Sequence, residues 1–386
     1  MTSETKKIFF ALLRSAVSTE ALPDNEKAAL TDEELQEMYE TADRQDIAHL
    51  IGYALINNGM IEKGSEIYTK FYAAQFVAIC RYESLNNALE QVTGQFEKAQ
   101  IEYLPLKGAV MRRFYPQPWM RTSSDADILV HEDDFKKIAE IMTADGFEIG
   151  RREKKDAAFF RDGCNIEIHF YLVKDNSIPF LQPDYLWKNA RRDGFRCSLP
   201  DDIFYAYHVE HMKRHFGTGG CGVRFFLDFY ILNNFVQHDA QKRRERLAES
   251  DSLDFDRGCV SLCDVWFDGA EHTALTEQME RYVFDAGVYG TFDHWTIVQG
   301  LQSGSTATSL WRRIWLPYDK LCWSYPRLEG RRYLQPYYEA KRIVQMLTDG
   351  RLDRSVAELK ANRRTNLSRE QGVAAMLSTL GILKKN

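Results

Sequence analysis

The sequence predicts an α+β protein: a small mixed β-sheet core set between helical regions on its N-terminal and C-terminal sides. Three observations predict it. Helical periodicity runs through residues 1–95, strand-like segments separated by turn residues crowd into residues 96–198, and helical periodicity returns from Pro200 onward with almost no strand signal. The expected units are a helical N-terminal domain over 1–95, a core over 96–198 and a helical C-terminal region over 199–386.

In the first region Leu30, Leu35, Met38 and Tyr39 follow helical spacing, and Thr31 with Glu34 forms a capping-box pattern at a helix start. The core opens with a mixed run over 101–106, passes through Lys107-Gly108 and returns to helix-like spacing as far as Tyr115 and Pro116, which reads as strand, tight turn, helix. A second strand is predicted over 125–130 and a helix from about 133 to 144, closed by Gly146. Segments 157–161 and 165–172 flank Asp162-Gly163, a dipeptide suited to a hairpin turn. Helices are then predicted over 203–216 and 224–236. The Gly-rich break between them, 217–222, follows no strand and precedes no Gly-Lys-Ser/Thr, so it reads as a helix connection, not a phosphate loop. Residues 290–335 mix aromatics, Arg, Gly and Pro without a period, and helix is expected again over 337–347 and 356–359.

The 50 Lys and Arg against 56 Asp and Glu leave a formal charge of −6, which excludes a general attraction to nucleic-acid backbones or anionic membranes. The basic run over 242–246 and the pair Arg363-Arg364 read as solvated helix faces, and Trp311, Trp315, Tyr318, Trp323 and Tyr325 as packing between helices. The seven cysteines are odd in number, scattered and without a C-x-x-C pair, which fits a reducing compartment. Lys6 and Lys7 precede an apolar run that Arg14 interrupts, too short for a signal sequence or a membrane span. The expectation is a cytoplasmic protein with no membrane partner.

The chemistry concentrates in the core. Successive strand residues point to opposite faces, so Asp125 and Asp127 project together, and on the later strand Asn165, Glu167 and His169 share one side. Three converging carboxylates repel unless a cation sits among them, and Mg²⁺ or Mn²⁺ takes such oxygen ligands while keeping room for phosphates. An isolated D-x-D is more often a surface acidic pair; Glu167 on an alternating strand and the strand–Lys-Gly–helix unit upstream turn the balance toward a metal site. Lys107, Gly108 and Ala109 stand where a strand hands over to a helix, a place where backbone N–H groups attract phosphate, and Arg121 lies within reach of the same cleft.

These residues, Leu106-Lys107-Gly108, Tyr115-Pro116, Arg121 through 125–130, Gly146-Phe147 and Glu167-Ile168-His169, together resemble the uncharacterised nucleotidyltransferase family of the polymerase-β-like superfamily. The resemblance implies a nucleotidyltransferase core in which Asp125, Asp127 and Glu167 are catalytic and bind two metal ions, with Lys107, Gly108, Ala109, Arg121 and His169 near the nucleotide, ATP being the expected NTP. The turn lacks the Ser of the superfamily's Gly-Ser; Lys-Gly stands there in this branch. The likeness covers roughly 95–235.

His208, His211 and His215 lie on one helix face and read as metal ligands, cleft-lining groups or packed histidines, and Arg224 with Asp228, four apart, as a helical ion pair or cleft-lining groups. The leading expectation is transfer of a nucleoside monophosphate to an acceptor (small molecule, protein or RNA) with release of pyrophosphate. The alternatives are a non-catalytic nucleotide-binding module acting on a protein partner, and a metal-dependent phosphohydrolase.

Overall fold

The computed structural model describes residues 1–173, 177–287, 325–348 and 367–383, with isolated positions between 290 and 322. Four helices come first: α1 (Ser3–Ser18), α2 (Asp32–Arg44), α3 (Ala48–Asn57) and α4 (Glu66–Lys98). The predicted capping box is present at α2, where the Thr31 hydroxyl accepts from the Glu34 N–H and the Glu34 carboxylate accepts from the Thr31 N–H. At 33 residues α4 runs roughly 50 Å. Its first turns put Ile67 and Phe71 into a helical core, and its last turns carry Leu85, Leu89, Val92 and Phe96 beneath the sheet.

The α+β fold class holds. The described strands form one seven-stranded mixed sheet: β1 (Tyr103–Pro105), β2 (Ala126–Val130), β3 (Glu148–Arg152), β4 (Asp156–Arg161), β5 (Cys164–His169), β6 (Arg191–Asp193) and β7 (Arg196–Ser198), in the order β3-β4-β5-β2-β1-β7-β6. The hairpin expected at Asp162-Gly163 joins β4 to β5, and both turn residues take positive φ, 50° and 77°. Between β1 and β2 lies α5 (Lys107–Met111), and between β2 and β3 lies α6 (Phe135–Ala144), beyond whose end Gly146 sits at φ 86°. β3, β6 and β7 escaped the sequence reading because they are short, and all but Cys197 of their residues are exposed, so no apolar alternation marks them.

Alternation along the central strands divides the sheet into two faces. Ala126, Ile128 and Val130 of β2 with Ile166 and Ile168 of β5 pack on α4 and α6, and each fully buried isoleucine contributes about 1.5–3 kcal/mol. The opposite face carries Asp127, Leu129, Glu167 and His169 and looks toward the helical region. There α7 (Pro183–Asn189), α8 (Asp201–Phe216), α9 (Val223–Asn234), α10 (Ala240–Glu249), α11 (Leu253–Phe267) and α12 (Ala274–Ala286) share one continuous core with α1, α2 and α3. Later in the chain come α13 (Gln335–Thr348) and α14 (Leu367–Thr379). The Gly-rich connection between α8 and α9 is tightly packed: a Cβ on Gly220, at φ 106°, would lie 2.5 Å from the Cβ of Ala286. Among the described residues no helix is long and apolar enough to cross a membrane, and the seven cysteines are free.

The basic run of α10 is structural in part. Arg243, 3% exposed, makes two 2.7 Å bonds to Asp201, and Arg246 pairs with Asp202, tying α10 to the start of α8. Tyr318 and Tyr325 pack around Leu321 and Leu328; Trp311, Trp315, Trp323, Arg363, Arg364 and the segment 356–359 lie outside the described residues.

α9 is buried nearly all round, as expected of a helix at the centre of a bundle, yet it carries two charges. Asp228 is held by Arg121 Nε, at 2.7 and 2.8 Å to its two oxygens, and by the Tyr115 hydroxyl at 2.7 Å; Arg224 reaches Asp46 at 2.5 Å and the Thr122 carbonyl at 3.3 Å. Each charge therefore finds a partner beyond its own helix, and the two ties join the helical region to the segment leading into β2. Replacing Asp228 with Ala strands a buried guanidinium and phenol and is expected to cost about 3–5 kcal/mol in urea unfolding. Asp228→Asn, which keeps an acceptor oxygen, is expected to cost less, and an unchanged midpoint in Asp228→Ala would contradict this account.

Candidate active site

The parallel pairing of β2 with β5 sets Asp127 directly beside Glu167, and the antiparallel pairing of β5 with β4 sets His169 beside Asp156. Because paired residues share a face, all four side chains point to the helical side of the sheet. Asp125 comes one residue before β2 and lines the same cleft. The tightest group is Asp127, Glu167 and His169, whose ligand atoms all lie within 4.8 Å of one another; Asp125 is not part of it. His169, expected beside the nucleotide, instead directs Nε2 at Asp127 Oδ1, 2.6 Å away, with Glu167 Oε2 at 3.5 Å.

Asp127 is 3% exposed and stays charged because of its neighbours. Burial alone would raise its pKa, but Lys107, whose Nζ donates to Oδ1 at 2.6 Å, and the His169 hydrogen bond outweigh burial and hold it below the usual carboxylate range. Asp125 has no such partner among the described residues: burial first and Asp127 second push it up to about 6. Glu167 is lowered, chiefly by His169. Lys107 is raised, burial notwithstanding, by Tyr207 and Asp127.

Lys107 also has φ 41°, a left-handed conformation unusual for a side-chain-bearing residue, at the turn from β1 into α5. Gly108 is closely packed there: a Cβ would stand 2.2 Å from Ser123 Oγ, and the serine hydroxyl would have to turn away to admit it. Two expectations for this turn change. The helix is only five residues long, and the Ala109 N–H donates to the Leu106 carbonyl while the Ala109 side chain enters the core beneath the sheet, so Ala109 does not line the cleft.

The cleft, about 260 Å³, is closed from the other side by α8, which contributes Phe204, Tyr207, His208, His211, Arg214 and His215. The three histidines that share a helix face thus line it together. His211 and His215 are 3.2 Å apart between their Nε2 atoms, and burial, assisted by Lys107 and Arg214, lowers the pKa of both, to about 4 for His215. They are neutral at physiological pH. His208 is 6% exposed, is likewise lowered by burial, and has no hydrogen-bond partner for Nε2 among the described residues. No carboxylate or thiol joins these histidines into a metal group among the described residues. Arg121 and Arg224 edge the cleft with their charges matched by Asp228 and Asp46, whereas Asp228 is fully buried and does not line it.

Sequence reasoning missed Lys155, Asp156, Tyr207 and Arg214. Lys155 is 8% exposed with no carboxylate within ion-pair distance among the described residues, and burial, then Arg214 and Lys107, pulls it down to about 8. In the sequence, Lys154-Lys155-Asp156 looks like any surface charge run; only the antiparallel return of β4 onto β5 brings it to the cleft. A larger hollow, about 670 Å³, lies elsewhere between α1 and the α11–α12 pair and contains none of these groups.

No curated protein and no solved structure matches the chain. A family model described as uncharacterised nucleotidyltransferase matches residues 31–268, more than half of the sequence, and spans the whole sheet, the cleft and α8 to α11. The protein belongs to that nucleotidyltransferase family.

Proposed function

We propose that the protein is a metal-dependent nucleotidyltransferase that moves a nucleoside monophosphate from an NTP, with ATP the expected nucleotide, to an acceptor and releases pyrophosphate. One observation carries the reading: a single cleft has Asp125, Asp127 and Glu167 on its sheet wall, Lys155 at the start of β4 beside them, and Arg214 and neutral histidines on its helical wall. Carboxylates alone suit a cation and ammonium groups alone suit an anion. Both in one cleft suit a metal–triphosphate.

The donor set fits a divalent ion, since cis ligands around one lie roughly 3 Å apart, His169 Nε2 stands 2.6 Å from Asp127 Oδ1 and 3.5 Å from Glu167 Oε2, and all three ligand atoms lie within 4.8 Å of one another. When bound, the metal supplies charge neutralisation at the reacting phosphate and a lower pKa for the attacking hydroxyl. The chain supplies the rest. Asp125, Asp127 and Glu167 hold the cation side; Lys107, displaced from Asp127, is within reach of phosphate oxygens; and Ser123, packed on Gly108, offers the hydroxyl that the Lys-Gly turn lacks. Lys155 and Arg214 attract the β- and γ-phosphates, and His211 and His215 offer N–H donors without added charge. The acceptor oxygen forms a bond to the α-phosphorus, the bond from that phosphorus to the bridging oxygen breaks with its electron pair leaving on pyrophosphate, and the acceptor proton passes to a carboxylate of the cleft, Glu167, which like Asp125 is half-buried.

Calorimetric titration of each NTP with Mg²⁺ or Mn²⁺ tests this without knowledge of the acceptor. Metal-dependent binding is expected in the wild type and is expected to vanish in Asp125→Ala/Asp127→Ala, with pyrophosphate released once the right acceptor is supplied. Binding with no pyrophosphate across a broad acceptor screen would favour a nucleotide-binding regulatory module. Acceptor-independent release of inorganic phosphate would favour a phosphohydrolase.

Lys155 gives a second test, on stability and affinity together. Its pKa falls from 10.5 to about 8 on folding, so the penalty for burying its charge is fully present below about 8 and is relieved as pH rises from there toward 10.5. Lys155→Met is expected to stabilise the ligand-free protein at neutral pH by on the order of 1–3 kcal/mol, to lose that advantage at alkaline pH, and to weaken NTP binding. Urea unfolding at both pH values with calorimetry reads all three, and a variant that is neither more stable nor weaker in binding would remove Lys155 from the phosphate wall.

A further inference from the structure

We propose that His169 is itself a metal ligand, through Nε2, that Asp156 positions it, and that the site consequently takes Mn²⁺ in preference to Mg²⁺. The inference deepens the nucleotidyltransferase reading and rests on it only for the presence of a divalent ion; the donor set stands on the side chains themselves.

The first argument is the unsatisfied atom. His169 is 2% exposed, and with Nε2–H donating to Asp127, its Nδ1 is a bare acceptor with no hydrogen-bond partner among the described residues. The Asp156 carboxylate stands beside Nδ1, its Oδ2 3.9 Å away, so lone pair faces anion. A buried polar atom left in this way costs free energy that the fold has no evident reason to bear. The opposite tautomer turns both ring nitrogens to better use once a cation is present, with Nδ1–H aimed at the Asp156 carboxylate, which needs to close from 3.9 Å to hydrogen-bond distance. The proton moves from Nε2 to Nδ1, where it is donated toward Asp156, and the Nε2 lone pair turns to the ion shared with Asp127 and Glu167. Metal-bound histidines characteristically donate their other ring N–H to a carboxylate, which fixes the tautomer and strengthens the donor.

The second argument is placement by register. Asp156, His169 and Leu129 form one cross-strand row, and Ala158, Glu167 and Asp127 form the next. The carboxylate behind the histidine and the carboxylates in front of it are thus fixed by strands, not by loops. The other oxygen of Asp156 faces Arg151 at 3.5 Å, which leaves Oδ2 turned to the ring. The third argument is donor chemistry. Mg²⁺ is best served by oxygen alone, whereas one imidazole with two carboxylates favours a first-row transition ion, and Mn²⁺ among these keeps octahedral positions open for phosphate oxygens.

The test uses the full chain, stripped with chelator, and Mn²⁺ as its own probe. Pulsed electron paramagnetic resonance of the bound ion is expected to show nitrogen hyperfine coupling, altered when the protein is made with heavy-nitrogen-labelled histidine and lost in His169→Gln. Competition titration is expected to show Mn²⁺ binding at least roughly tenfold more tightly than Mg²⁺, and Asp156→Asn is expected to weaken Mn²⁺ by roughly 10–100-fold while nitrogen coupling persists. The labelled wild type keeps the test valid should a variant fail to fold. Bound Mn²⁺ without nitrogen coupling, or equal affinity for the two ions, would overturn the inference and leave nucleotidyl transfer standing on oxygen ligands. Nitrogen coupling without NTP binding would do the reverse.

Discussion

The arrangement of this molecule follows from what it takes to keep Asp127 ionised at 3% exposure. A carboxylate removed from water must be met by donors and positive charge, or it will take up a proton. Lys107 and His169 meet it, and each arrives by a different route: Lys107 by a turn strained into positive φ, His169 by its place in the neighbouring strand. The register of β2 on β5 cannot slip by one residue without sending Asp127 to the apolar face and Ile128 to the cleft. The core beneath the sheet depends on that register, because the residues alternating with the acids are the ones that pack on α4 and α6.

The second wall depends on how the helical region is docked. α8 presents its histidines and Arg214 to the carboxylates only while α9 holds the segment before β2 through Asp228 with Arg121 and Tyr115, and through Arg224 with Asp46 and Thr122. His49 of α3 donates to the Met120 carbonyl in the same stretch. A stretch of irregular chain, from Tyr115 to Ser124, therefore serves as a hub at which the N-terminal helices, the sheet and the C-terminal helices meet. Charges that could have contacted substrate, those of Arg121 and Arg224, are matched by protein partners here, and the cationic work of the cleft passes to Lys107, Lys155 and Arg214.

How much of this was legible in the sequence depended on the range of the interaction. Alternation within a strand is local, so Asp127 beside Asp125 and Glu167 beside His169 could be read directly, as could the hairpin at Asp162-Gly163 and the capping box at Thr31. Family resemblance put a third acid on a later strand, but that this strand pairs in parallel with β2 was not read. What could not be read was whatever the return of the chain decides: that Lys155 and Asp156 come home to the cleft at the start of β4, that Arg214 is a wall residue and not a solvated cation, and that Gly108 is small for the sake of Ser123. The short exposed strands β3, β6 and β7 carry no apolar period, and the Arg224–Asp228 spacing, equally consistent with a helical pair, turned out to serve two separate ties.

The charges that line the cleft are close to balanced, and this bears on what it can bind. Asp125, Asp127, Asp156 and Glu167 oppose Lys107, Lys155 and Arg214, while the histidines stay neutral through burial. A triphosphate entering alone would bring its charge against four carboxylates, and a dication entering alone would have to displace the Lys107 ammonium from Asp127 without any phosphate to receive it. In the proposed reading they would exchange partners: the carboxylates would hold the metal, the freed Lys107 ammonium would meet a phosphate oxygen, and the charge of Lys155 would gain an anion. A buried lysine without a counterion is costly to a resting fold and useful to a site that binds anions. The same logic extends to His169, whose idle Nδ1 and busy Nε2 would exchange roles when the cation arrives, so that the cleft is tuned less to its resting state than to the complex it is built to hold.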